Sequence, residues 1–500
     1  MTTRNAGILM PISSLPGRYG IGTFGESAYR FVEFLKKASQ KYWQILPLGH
    51  TSFGDSPYQT FSAFAGNPYF IDLDYLRLEE LLEQTEYDHL YHSTNQIDYG
   101  FLYENKYPVL RLAYSRFKKN QEYLEFLENE KEWLEDYALF MALKSYHNGS
   151  AWLNWEEQYK TRNEKALNEF KKNNVVEIEF WYFIQYYFDK QWKRLKNYAN
   201  NNGIEIIGDI PIYVAMDSCD VWANKKYFQI GKDYVPVRVA GCPPDDFSED
   251  GQLWGNPVYD YNELEKDGYS WWIKRMKKSL EMFDVVRIDH FRGFEAYWSI
   301  PYGDKNAKGG KWVKGPNVKL FKAMENKLGK MNIIAEDLGF LTEGVYKMIK
   351  KLKYPGMKIM EFGFDPWGNS DHAPHNVVEN SIVYSSSHDL APLKEWYYTQ
   401  SYENKRYILE YLHLEREEKI VEALIKCTLS TVAKTAIIPI QDYLELDWFA
   451  RLNTPSVAEG NWKWRATEIQ LIDDLAYRIS YWTRLYRRWN IQAQNKEKRE

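Results

Sequence analysis

Eight short apolar runs, most with polar residues toward their ends, recur along this chain. They are GILMPISSL (7–15), YWQILPL (42–48), IEIIGDIPIYV (204–214), DVVRIDHF (284–291), NIIAEDL (332–338), MKIMEFGF (357–364), IVYSSSHD (382–389) and AKTAIIPIQDYL (433–444). Most are separated by segments with helical spacing of apolar residues, such as ESAYRFVEFLKKASQ after the first and LTEGVYKMIKKL after the fifth. Strands of a parallel sheet covered on both faces read as continuous apolar runs, not as alternating ones. Eight such strands alternating with helices predict an α/β fold, a (β/α)8 barrel of the TIM type.

Two gaps between runs are too long for simple crossovers. Residues 75–200, rich in Glu, Lys, Trp and Tyr, read as an inserted, mostly helical subdomain. Residues 217–283 read as a second, loop-rich insertion, because GCPPDDFSEDGQLWGNP concentrates Pro, Gly and Asp in the manner of a long functional loop. The whole of 1–500 is then expected to be a single catalytic barrel carrying these two insertions, and with 44% hydrophobic residues it has enough apolar material for one large core.

Composition narrows the partners. A net charge of -5 lacks the basic excess of a polyanion binder, so nucleic acid is not expected, and Lys-rich pieces such as KRMKKS and NKEKRE read as solvated faces or tail. No stretch approaches the roughly eighteen uninterrupted apolar residues of a membrane span, and Pro11 interrupts the first apolar run, so a cytoplasmic protein without membrane contact is expected. Cys219, Cys242 and Cys427 are odd in number and lack CxxC spacing, which indicates neither a disulfide framework nor a zinc cluster. Aromatic content is the unusual figure: 17%, with 40 Tyr and 19 Trp, some of which must be core. Amphipathic rings suit a surface that stacks on sugar faces.

Several motifs fail on context. GIGTFG (20–25) fits the dinucleotide pattern, but LPGRY intervenes after the strand and the second strand ends in Pro47, Leu48 and Gly49 instead of an acid. DHAPH (371–375) has no matching ligand cluster, and PDDFSEDG (244–251) lacks the EF-hand spacing, so no metal is expected. A GxSxG nucleophile elbow is absent.

The carboxylates at the run ends carry more. Asp209 closes the third run, Arg287 with Asp289 and His290 the fourth, Glu336 with Asp337 the fifth, and His388 with Asp389 the seventh. Each acid alone reads equally well as a helix cap or a buried ion-pair member. In a barrel, however, all these strand ends share the C-terminal mouth, where barrel enzymes carry their chemistry. Period-two geometry sets Arg287 and Asp289 on one side of their strand, so the guanidinium is placed to hold Asp289 ionised, whereas Glu336 and Asp337 point to opposite sides. One ionised and one protonated carboxyl group is what cleavage of a glycosidic bond requires.

With these residues assembled, the chain resembles the amylomaltases, 4-α-glucanotransferases of glycoside hydrolase family 77, over nearly its whole length. The motifs that carry the resemblance include GILMPISSLPGRYGIGTFG, GDIPIYVAMDSCDVWA, AGCPPDDFSEDGQLWGNPVYDY, VVRIDHFRG, IIAEDLG, PGMKIMEFGF and LNTPSVAEGNWKWR. The resemblance implies a barrel without a separate C-terminal β-domain, acting with retention on α-1,4-glucans and maltooligosaccharides and needing no cofactor. By position it makes Asp289 the nucleophile, Glu336 the general acid/base and Asp389 the carboxylate that grips donor hydroxyls. It also assigns Tyr58, Asp209, Arg287 and His388 to the donor sugar, and His290, Trp254 and Asn461 to acceptor or neighbouring positions, with a structural role for Trp254 left open.

Two departures stand out. SHDLAPL puts Leu390 where the family commonly has Asn beside the third acid, and LNTPS replaces the usual NTPG. An α-amylase-like hydrolase using the same acids with water as acceptor, and a glucan-binding protein without catalysis, are the alternative readings. Oligomeric state is left open.

Overall fold

The computed structural model describes residues 4–489 apart from 53, 93, 245–247, 340 and 458. Eight parallel strands close into a barrel: β1 Asn5–Leu9, β2 Tyr42–Gln44, β3 Glu205–Ile210, β4 Val285–Ile288, β5 Ile333–Ala335, β6 Gly356–Ile359, β7 Ser381–Tyr384 and β8 Thr435–Pro439. Neighbours in the ring are neighbours in this order, and β8 pairs with β1 in register Asn5 to Thr435 through Leu9 to Pro439. Every one of the eight apolar runs supplies one strand. β1, β6, β7 and β8 are buried at every position, as expected when helices cover one face and the barrel interior the other.

Close approach explains one glycine in the wall. A Cβ on Gly208 of β3 would lie 2.1 Å from the Phe283 ring that packs there, so only glycine lets that ring cover the strand. Inside the barrel the upper layer is polar: Tyr384 of β7 donates to Gln44 of β2 at 2.8 Å, and Asp209 of β3 sits in register beside Arg287 of β4. That layer marks the boundary between core and site.

Between β2 and β3 lie the long helices Tyr99–Arg116, Gln121–Tyr146 and Val175–Asn201, the last two packed together. Their interior is ring-rich, with Trp181, Phe183 and Tyr187 buried, which accounts for part of the aromatic excess. Sequence reading assigned no strands to 217–283, yet Arg238–Cys242 and Gln252–Pro257 lie there. They join Ala296–Pro301 and Lys311–Lys314 in a four-stranded antiparallel sheet, Gln252–Pro257 at one edge and Lys311–Lys314 at the other. These strands are short, and Gly241 and Gly255 break up their apolar pattern, so periodicity does not expose them. No helix among the described residues is long and apolar enough to cross a membrane.

Candidate active site

Strand register builds the site from β3 to β5. Asp209 and Arg287 are Cα partners, and Arg287 Nη1 donates to Asp209 Oδ2 at 2.6 Å with both side chains almost wholly buried. Two residues on, Asp289 emerges on the same side, and Arg287 Nη2 reaches its Oδ1 at 3.0 Å. Asp289 N–H donates to Ile210 O and Glu336 N–H to Ile288 O, so the ladder carries both acids one residue past their strands. His290 then takes a left-handed conformation, φ 51°, uncommon for a residue with a side chain. That turn aims its backbone N–H at Glu336 Oε2, 2.6 Å away, while Leu338 N–H donates to Oε1 at 2.7 Å.

The two acids differ in environment. Burial, then the neighbouring Asp289 charge, pushes the Glu336 carboxyl up to about 8, against the lowering effect of Arg287 and the two N–H donors. Asp289 is raised less, to about 6, because burial acts against the adjacent Arg287 charge. Its side chain also remains 29% exposed, so the expectation that Arg287 keeps it ionised holds only above that value. Asp337 points the other way: it accepts from Met357 N–H at 2.6 Å and lies over Gly356, fixing β5 to β6.

Across the mouth, Asp389 lies in the turn after β7. His388 Nε2 is 3.2 Å from Asp389 Oδ2 and 2.7 Å from the Tyr58 hydroxyl, which donates to Asp209 Oδ2 at 2.8 Å. If the Tyr58 proton goes to Asp209, the His388 Nε2–H faces Tyr58 and Asp389 together. Burial opposes charge on Asp389, but His388 and an amide from Asn453 hold its carboxyl down at about 2. The Tyr58 ring lies nearly parallel to the His388 ring, 5.4 Å between centroids at 13°, and Trp462 stands 5.8 Å away. From the four-stranded sheet, Trp254 meets His290 edge to face at 4.8 Å. His290 Nε2 and Asp209 Oδ1 are buried with no hydrogen-bond partner, an uncommon state for buried polar atoms.

The pattern of glycoside hydrolase family 77, described as 4-alpha-glucanotransferase, matches residues 10–471. A 4-alpha-glucanotransferase of Clostridium butyricum is 50% identical over 485 residues, covering 96% of this chain and all of that one. The chain belongs to the 4-alpha-glucanotransferase family. A second relative with that name, from Thermus thermophilus, is 44% identical over 92% of this chain and 94% of its own length. Among solved structures, an amylomaltase from Streptococcus agalactiae in complex with acarbose superposes with a TM-score of 0.95 at 41% identity, covering 97% of this chain and 100% of that one. The amylomaltase from Corynebacterium glutamicum, 17% identical, shares the fold at a TM-score of 0.80 over 96% of this chain and 75% of its own.

Within this family member, the structure gathers Tyr58, Asp209, Arg287, Asp289, His388 and Asp389 into one hydrogen-bonded and ion-paired cluster, with Glu336 held next to Asp289 by the His290 N–H and Trp254 meeting the His290 ring. Asn461 is placed differently. Its side chain closes its own turn, accepting from Thr454 N–H and donating to Thr454 O and Val457 O. The asparagine that reaches an acid is Asn453, whose Nδ2 donates to Asp389 Oδ1 at 2.6 Å and whose N–H donates to His388 O. The motif LNTPS by itself gives no role for Asn453, since nothing local tells which loop amide folds back onto the turn after β7. Leu390, meanwhile, is half-buried against the hydrophobic core. Of the 243–257 loop, 245–247 lie outside the described residues.

Proposed function

We infer that this chain is a 4-alpha-glucanotransferase that moves a segment of an α-1,4-glucan or maltooligosaccharide to the 4-hydroxyl of an acceptor glucan or glucose. The observation that carries the reading is the pair Asp289 and Glu336 on adjacent strand ends, one beside a guanidinium and the other more strongly protonated, in a chain of this family. Near neutral pH this pair offers an ionised nucleophile and a protonated acid.

In this mechanism Glu336 gives its proton to the glycosidic oxygen while the Asp289 carboxylate attacks C1. The C1–O4 bond breaks, the leaving glucan departs with that proton, and a glycosyl ester to Asp289 remains. Glu336, now a base, takes the proton of an acceptor 4-hydroxyl as its oxygen attacks C1 and expels Asp289. Each displacement inverts, so the α configuration is retained. Asp389, held anionic by His388 and Asn453, grips donor hydroxyls and opposes the positive charge that grows at C1. Arg287 and Tyr58 tie Asp209 into the same wall, and the unpartnered Asp209 Oδ1 and His290 Nε2 await sugar hydroxyls. Trp254, against His290, forms the acceptor wall in this reading. No step draws on a cofactor or metal.

The insertions 75–200 and 217–283 are read as one catalytic domain's walls. The hydrolase alternative is not favoured, because the relatives compared carry the transferase name. The deciding assay is incubation with pure maltotriose. Transfer yields glucose and a ladder of longer maltooligosaccharides with little net gain in reducing ends. Steadily rising reducing ends with no product longer than the substrate would overturn the assignment.

A further inference from the structure

Beyond the cleft, β8 leads into a short turn at Trp448–Ala450 that leaves Trp448 72% and Phe449 39% exposed. The two rings stand 6.5 Å apart at 89°, so they form two walls of a corner. The preceding Asp447 pairs with Lys394 at 3.7 Å, on the helix Leu393–Thr399. Four residues along that helix, and so on the same face, is Tyr398, 50% exposed. Its backbone oxygen accepts from Lys405 Nζ at 2.8 Å, which fixes the end of the helix beside it. Two exposed rings beside an ion pair, with a third half-exposed ring that carries Lys405 Nζ 5.6 Å from its centroid, are more than a single scattered apolar residue.

The residues that follow Phe449 lead from this surface to the site. His388, Leu390, Ala450, Arg451 and Leu452 line one narrow crevice, which puts the residue after Phe449 on the same lining as the residue before Asp389. Arg451 Nη2 also donates to Asp389 O at 3.4 Å. In the ring of strands β8 lies across the barrel from β4, so the strip stands on the opposite wall from His290 and Trp254.

We propose that Trp448, Phe449 and Tyr398, with the Lys394–Asp447 pair, dock the outer glucose units of a long α-1,4-glucan whose reacting bond lies in the cleft. This rests on the transferase reading for its ligand. Glucose presents flat C–H faces that stack on rings and hydroxyls at its rim that bond to charged groups, and the strip offers both. Short oligosaccharides end before reaching it, so it selects for chain length and not for bond type.

The test compares the full-length wild type with W448A and Y398A, both side chains being at least half exposed and outside the core. For long amylose, kcat/KM should fall about three- to tenfold more than for maltotriose, chiefly through KM, as loss of one stacked ring predicts. Retardation of the native protein in amylose-containing gels should weaken in the same variants. Equal losses on both substrates, or undiminished retardation, would overturn the strip. Absence of maltotriose disproportionation by the wild type would instead overturn the transferase reading, and the gel assay would still decide the strip.

Discussion

Replacing Asn453 with Ala removes the amide that donates to Asp389 Oδ1 at 2.6 Å and leaves the carboxylate with His388 as its close side-chain partner. A hydrogen bond to a charged group contributes about 1.5–3 kcal/mol. The Asp389 side chain is 40% exposed, so water replaces part of what is lost, and about 1–2 kcal/mol is the fitting range. If Asp389 acts mainly on the transition state, that converts to a fall of about 5- to 30-fold in kcat/KM for maltotriose, seen mostly in kcat. The amide is also one of the groups that hold the Asp389 carboxyl low, so that carboxyl should titrate higher in the variant, while the acidic edge of the activity profile stays with Asp289 near 6. Initial rates of glucose release across pH, alongside a melting curve, separate the possibilities. Turnover within twofold of wild type would refute the reasoning. A lower melting temperature with normal kcat would make Asn453 a loop brace only.

Asp289→Asn keeps the volume but removes the nucleophile's charge, and transfer should fall by orders of magnitude with the fold intact; near-normal turnover of the pure variant would mean the wrong carboxylate has been named. The pH dependence of kcat/KM should be bell-shaped, rising as Asp289 ionises near 6 and falling as Glu336 loses its proton near 8, and a flat profile between 5 and 9 would contradict the assignment. The same raised carboxyl has a thermodynamic sign: a buried acid whose folded pKa exceeds its unfolded value costs stability as pH rises through that interval. Glu336→Gln cannot ionise, so its melting temperature should gain on wild type from pH 5 to pH 8, and a constant gap would count against a raised Glu336.

What the sequence determined by itself is the barrel and the strand ends. Parallel strands buried on both faces leave continuous apolar runs, and period-two alternation puts Arg287 and Asp289 on one side while separating Glu336 from Asp337; these are local facts of backbone geometry. The motifs around Asp289, Glu336 and Asp389 stand at the ends of those runs for the same reason. Only the tertiary structure decided which amide meets Asp389. Asn453 and Asn461 are both loop residues eight positions apart, and one turns to the acid while the other closes its own turn. The Lys394–Asp447 pair and the strands of 238–242 and 252–257 were likewise invisible, since each depends on partners distant in sequence. The acids' differing protonation belongs to that level too: burial and the spacing of charges across β3, β4 and β5 set it, and both arise only once the barrel closes.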